Sequence, residues 1–260
     1  MTATVQAPPV DARRPGPRGW LMLTLAEAKM VVRDTAGLIV PIGLPLLILV
    51  MSASAAVAET AGDTGLTGLE AFVLPLVFAI VFASIGVINM PSFLAYYRRS
   101  GILRRLSVTP ASPAMVLVAQ VVVSFVQALI GVALALALAI GVFGARLPAD
   151  PWLALGVGAL GLAAMYAVGL VVAALAPTPN SATAIGLVVF FALGALGGLF
   201  GGRGHLPEGV ARVGEHLPFG ATLEALAAAW LGVGVDGWHV VSLVGTVLVG
   251  SALAAIFFRW

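Results

Sequence analysis

Tyr96-Tyr97-Arg98-Arg99-Ser100-Gly101-Ile102-Leu103-Arg104-Arg105-Leu106-Ser107-Val108-Thr109-Pro110 carries four of the thirteen Lys and Arg residues in the chain. It stands between two stretches, 71–95 and 114–143, that contain no Asp, Glu, Lys or Arg. A hydrocarbon core needs about 20 apolar residues per crossing helix, so each flank is long enough to span. A short basic island held between two spans is what a membrane protein needs if a soluble machine is to push on it.

Reading outward from the island gives four more such stretches, 36–57, 152–175, 181–202 and 238–258. With no water to satisfy backbone amides, runs of this length must be helices, and they lack the period-two alternation of barrel strands. The predicted fold class is all-α: a polytopic membrane protein with six transmembrane helices. Composition agrees. The 260 residues are 61% hydrophobic and 9% charged, with a mean hydropathy of +1.10, where a soluble domain carries roughly 25% charged residues. Without cysteine, disulfides and thiolate metal sites are excluded.

Placing the N-terminus in the cytoplasm puts ten Lys and Arg inside and three, Arg146, Arg203 and Arg212, outside. The positive-inside bias therefore puts both termini in the cytoplasm. The basic residues cluster at membrane boundaries, which points to lipid and not to nucleic acid as the partner. Residues 1–17 read as a disordered cytoplasmic tail, with no cleaved signal peptide. Over 18–34, Leu21, Leu25, Ala28 and Val32 share one helical face while Glu27, Lys29, Arg33 and Asp34 lie on others. This predicts an N-terminal interfacial amphipathic helix with Trp20 at its end. Between the last two spans, Ala221–Leu231 is apolar but too short to cross, so the segment reads as re-entrant or buried in protein, with a surface helix on the outer leaflet as the alternative.

The spans contain no Asp, Glu, Lys or Arg, so no proton relay is evident. The one lysine, Lys29, follows Ala28, which excludes a Walker loop. Neither His-Glu-x-x-His nor Gly-x-Ser-x-Gly occurs, and no metal site or catalytic residue is assigned. The chain is not expected to be an enzyme. Within the spans, Gln120, Ser124, Gln127 and Gly131 share one face and Asn89 stands in the second span. These polar groups serve either a substrate path or helix packing. Gly194, Gly197, Gly198, Gly201 and Gly202 suggest close packing of the fifth span. Pro41, Pro45 and Pro75 suggest kinks.

The connection between spans two and three resembles that of ABC-2 type permeases, the membrane subunits of ATP-driven exporters. Gly101, Leu103, Arg105, Leu106, Thr109 and Pro110 match the family's Gly-x-Leu-x-Arg-Leu and Thr-Pro pattern. Just upstream, Tyr97, Arg98 and Arg99 replace an acidic residue common there. Ala176–Ala182 resembles the short inner turn before span five. Leu217-Pro218, Glu224 and Trp230 resemble the outer helical hairpin, here 206–231. The 18–34 helix corresponds to the family's connecting helix.

The resemblance implies a coupling helix over 97–107, with Tyr97, Arg98, Arg99, Gly101, Leu103, Arg104, Arg105, Leu106, Thr109 and Pro110 as contacts. Its partner would be a separate ABC ATPase that binds ATP and Mg, and this chain would hold no cofactor. The resemblance also implies a second permease copy or paralogue and a site in a bacterial cell membrane. The cargo expected from spans with few polar groups is an amphipathic small molecule such as a drug, antibiotic or lipid-like metabolite. The rivals are an ion-coupled transporter, a lipid-acting membrane enzyme using Glu224 or His216, and a non-transporting immunity subunit.

Overall fold

The computed structural model describes residues 16–61, 65–102 and 113–257. Helix α1 (Pro17–Arg33) precedes six helices long and apolar enough to span: α2 (Thr35–Ala58), α3 (Leu69–Arg99), α4 (Pro113–Phe143), α5 (Pro151–Leu175), α6 (Pro179–Leu196) and α9 (Gly237–Phe257). Between α6 and α9 come two short helices, α7 (Glu208–Gly214) and α8 (Pro218–Leu231). No strand occurs among the described residues, only an isolated bridge between Thr60 and Thr67.

Helix starts follow local chemistry. Pro151, Pro179 and Pro218 sit in first turns, where a missing N–H costs nothing. Asp150 accepts from Leu153 N at 2.9 Å. Thr178 and Ser181 form a reciprocal capping box that starts α6. Asp34 alone joins α1 to α2. Its N–H donates to Met30 O at 3.0 Å, and its carboxylate accepts from Gly37 N at 3.1 Å.

The core lies around α3. Every residue from Leu74 to Ala83 is buried, and α2, α4, α5, α6 and α8 all pack on this helix. Two π-helical stretches, Leu69–Val73 and Ser84–Asn89, interrupt it. The second one sits where backbones meet. A Cβ at Gly169 of α5 would collide with Gly86 O, and one at Gly186 of α6 with Val87 O. Small residues thus let three apolar helices approach by backbone contact.

Two expectations change. The glycine-rich end of the fifth span divides: Gly197 keeps the close packing, since a Cβ there would lie 2.8 Å from Gly220 N of α8, whereas α6 stops at Leu196 and Gly198, Gly201 and Gly202 turn the chain with φ of +93°, +108° and +81°. Only glycine enters that region without strain. In addition, Tyr97, Arg98 and Arg99 form the last turn of α3, not the start of a separate helix. Gly101, at φ +69°, ends that helix by donating to Arg98 O at 3.2 Å.

Candidate functional site

Where α3 runs into the basic island, its last turn is fastened to two other helices. The Tyr97 hydroxyl donates to the Glu27 carboxylate, at 2.7 Å from Oε1 and 2.6 Å from Oε2, with Met30 Sδ at 3.4 Å. Glu27 is 4% exposed and Tyr97 5%. Burial holds the Glu27 carboxyl above its ordinary pKa, while the Tyr97 hydrogen bond pulls the other way. Tyr97 packs with Val116 of α4 and with Leu23, Met30 and Ile102.

Arg98 points elsewhere. Its guanidinium donates to Ala173 O at 3.2 Å and to Ala176 O. These carbonyls belong to the C-terminal end of α5, where the helix has no N–H groups of its own to offer and a cation is favoured. Tyr96 and Arg99 remain exposed. Of the expected coupling contacts, the described ones therefore divide: Tyr97 and Arg98 are spent inside the protein, Arg99 faces outward, and Gly101 ends the helix. Leu103, Arg104, Arg105, Leu106, Thr109 and Pro110 lie outside the described residues.

On α1, Leu21, Leu25 and Val32 are exposed, while Glu27 and Val31 are buried. The helical pattern sets Glu27 among the polar residues away from the apolar face. The opposing signal is the row Leu23, Glu27, Val31, spaced by four on one helical stripe.

The span amides meet at one carbonyl. Gly37 O in α2 accepts from Gln127 Nε2 at 2.8 Å and from Asn89 Nδ2. Its normal helical partner would be the N–H of residue 41, and that residue is Pro41. Asn89 of α3 and Gln127 of α4 therefore supply the donor that proline removes. Earlier on α4, Gln120 and Ser124 are buried, as is Tyr166 of α5, and neither Gln120 Nε2 nor the Tyr166 hydroxyl has a hydrogen-bond partner.

At the opposite end of the spans, α8 is almost wholly buried, with Pro218, Phe219, Leu226 and Trp230 inside the protein. Arg203, in the turn after α6, pairs with Glu215 and with Glu224 at 3.4 Å. This ion pair ties the turn to both helices of the hairpin. The Glu70 carboxylate, 2% exposed at the start of α3, accepts from Thr67 N at 2.8 Å and from Arg146 N at 2.7 Å. No cluster of three or more His, Asp or Glu side chains able to hold a metal occurs among the described residues.

Six helices long and apolar enough to cross a bilayer define a polytopic membrane protein. The chain matches the family model described as ABC-2 family transporter protein over residues 23–258, and it belongs to that family. A search of curated proteins finds none that matches.

Proposed function

We propose that the chain is the permease subunit of an ATP-driven exporter in a bacterial cell membrane, with both termini cytoplasmic and α1 lying on the inner leaflet. A separate ATPase docks on the 97–107 segment, two membrane subunits pair, and the cargo is an amphipathic small molecule. The observation that carries this reading is the fastening of the last turn of α3. Tyr97 grips α1 through Glu27, and Arg98 grips the C-terminal end of α5. A displacement applied to the island is thereby delivered to three helices at once, and through the short Ala176–Thr178 turn to α6. A loose loop would absorb the same displacement. The enzyme reading loses support because Glu224 is engaged with Arg203.

The test is ATP hydrolysis in liposomes that hold this chain and its candidate ATPase, with a panel of amphipathic compounds. Hydrolysis that requires both chains and responds to a compound is expected. Arg104→Glu with Arg105→Glu should uncouple export and loosen ATPase association. Unchanged export and co-purification in that variant would remove the docking assignment.

A further inference from the structure

An apolar slot of about 190 Å³ opens between α4 and α5 in the half of the protein nearer the hairpin. Phe78, Phe82 and Trp230 form its floor, and Phe125 and Leu129 of α4 and Leu155 of α5 its walls. Phe125, Leu129 and Leu155 are also exposed on the outer surface of the helices, so the slot opens sideways, toward lipid.

Its length and its end name the occupant. The α4 wall runs from Phe125 to Leu136, about 16 Å at 1.5 Å per residue. That is the depth of one leaflet, half of a core about 30 Å thick. The slot ends at Leu147 and Pro148, next to Arg146, whose side chain is 69% exposed. Trp152, 82% exposed, stands at the same end, where an interfacial aromatic belongs. Among the described basic residues of this face, Arg203 is engaged with Glu215 and Glu224, and Arg212 with Glu208 at 2.6 Å. Arg146 differs. Its Nε is 3.9 Å from Glu70 Oε1, and that carboxylate already accepts from Thr67 N, Thr67 Oγ1 and Arg146 N. With its side chain 69% exposed, Arg146 has further guanidinium donors to offer a phosphate.

We propose that this slot is a phospholipid site: one acyl chain of the leaflet on the hairpin side lies between α4 and α5, and its phosphate sits on Arg146. Gly158 keeps it deep, since a Cβ there would lie 3.3 Å from the Phe82 ring. Trp230, which donates from Nε1 to Arg146 O at 3.3 Å, links the floor of the slot to its charged end.

The test uses the full chain with Trp230 as sole tryptophan (Trp20, Trp152, Trp238 and Trp260 each to Phe) in phosphatidylcholine vesicles. Phosphatidylglycerol with brominated acyl chains is titrated in as the quencher. Saturable quenching of Trp230 at a low fraction of brominated lipid, reversed by unbrominated phosphatidylglycerol, is expected. Arg146→Ala should weaken it about fivefold, the worth of one basic side chain at an anionic surface. Ala154→Phe, which fills the slot from α5, should abolish the saturable part. Arg146 is at the surface, so its variant stays informative even if the filled slot misfolds. Quenching that follows the bulk lipid fraction equally in the parent and in Arg146→Ala would overturn the proposal. So would saturable quenching indifferent to Arg146, which marks an apolar cargo site, or none at all, which marks a slot sealed by a second copy.

Discussion

Tyr97, in the last turn of α3, donates its hydroxyl to both carboxylate oxygens of Glu27 on α1, at 2.7 and 2.6 Å, in a contact closed to water. The two residues are seventy positions apart, and the bond joins a helix with an exposed apolar face to the helix that carries the basic island.

Burial raises the Glu27 pKa, so the folded protein holds the Glu27 proton more tightly than the unfolded chain does. The resulting stabilisation is fully present below the ordinary value of 4.5 and is lost as pH rises through the folded value. The melting temperature of the purified protein should fall over that window, and Glu27→Gln should flatten this part of the profile. Tyr97→Phe leaves a buried carboxylate without its donor and should cost about 1–3 kcal/mol, more so above the window than below it. Identical profiles for wild type and Glu27→Gln would show that the carboxyl is solvated in the folded state.

Arg98 and Arg99 are adjacent basic residues with opposite surroundings, and substitution should separate them. Arg98→Ala strips the donors from Ala173 O and Ala176 O and should destabilise the protein by about 1–3 kcal/mol. Arg99→Ala, at an exposed position, should stay within about 0.5 kcal/mol. Thermal unfolding of the two variants in the same detergent decides it, and equal losses would dissolve the distinction.

Sequence patterning disclosed what depends on the bilayer as solvent. The six spans, the short buried helix Pro218–Leu231 and the exposed Leu21, Leu25 and Val32 on α1 all follow from lengths and helical faces. The direction of Arg98 was hidden because it depends on α5 ending nearby, a relation between segments far apart in the chain. Gly198, Gly201 and Gly202 misled, while Gly197 does pack closely on α8, because glycine serves both close helix packing and left-handed turns, and spacing alone does not separate them. Positive φ at Gly198, Gly201 and Gly202 does. The Gly37 contact was closer to legible. Pro41 removes the donor for the carbonyl four residues earlier, and Asn89 and Gln127 stand out in the sequence as polar groups within spans.

That contact gives a double-mutant test. Gln127→Leu should cost about 0.6–1.7 kcal/mol, the range of interhelical hydrogen bonds in membranes. In a Pro41→Ala background the helix regains its own N–H at residue 41, and the same change should cost less. Unfolding in mixed micelles measures both differences. Equal costs in the two backgrounds would mean that Gln127 is not replacing the donor lost at Pro41.

Gln120 and Tyr166 present the reverse case, because both carry buried polar atoms with no hydrogen-bond partner. Removing such an atom relieves a desolvation cost and breaks no bond. Tyr166→Phe should therefore leave stability unchanged or raise it by up to about 1 kcal/mol, and Gln120→Leu should behave alike. Their melting temperatures, measured beside Gln127→Leu, form an internal contrast: three polar residues facing one interior, one bonded and two not. Should export fall in Tyr166→Phe while its stability holds, the hydroxyl is kept for something that passes through or binds there. A loss of stability would mean that Ser124, its neighbour on α4, is a genuine partner.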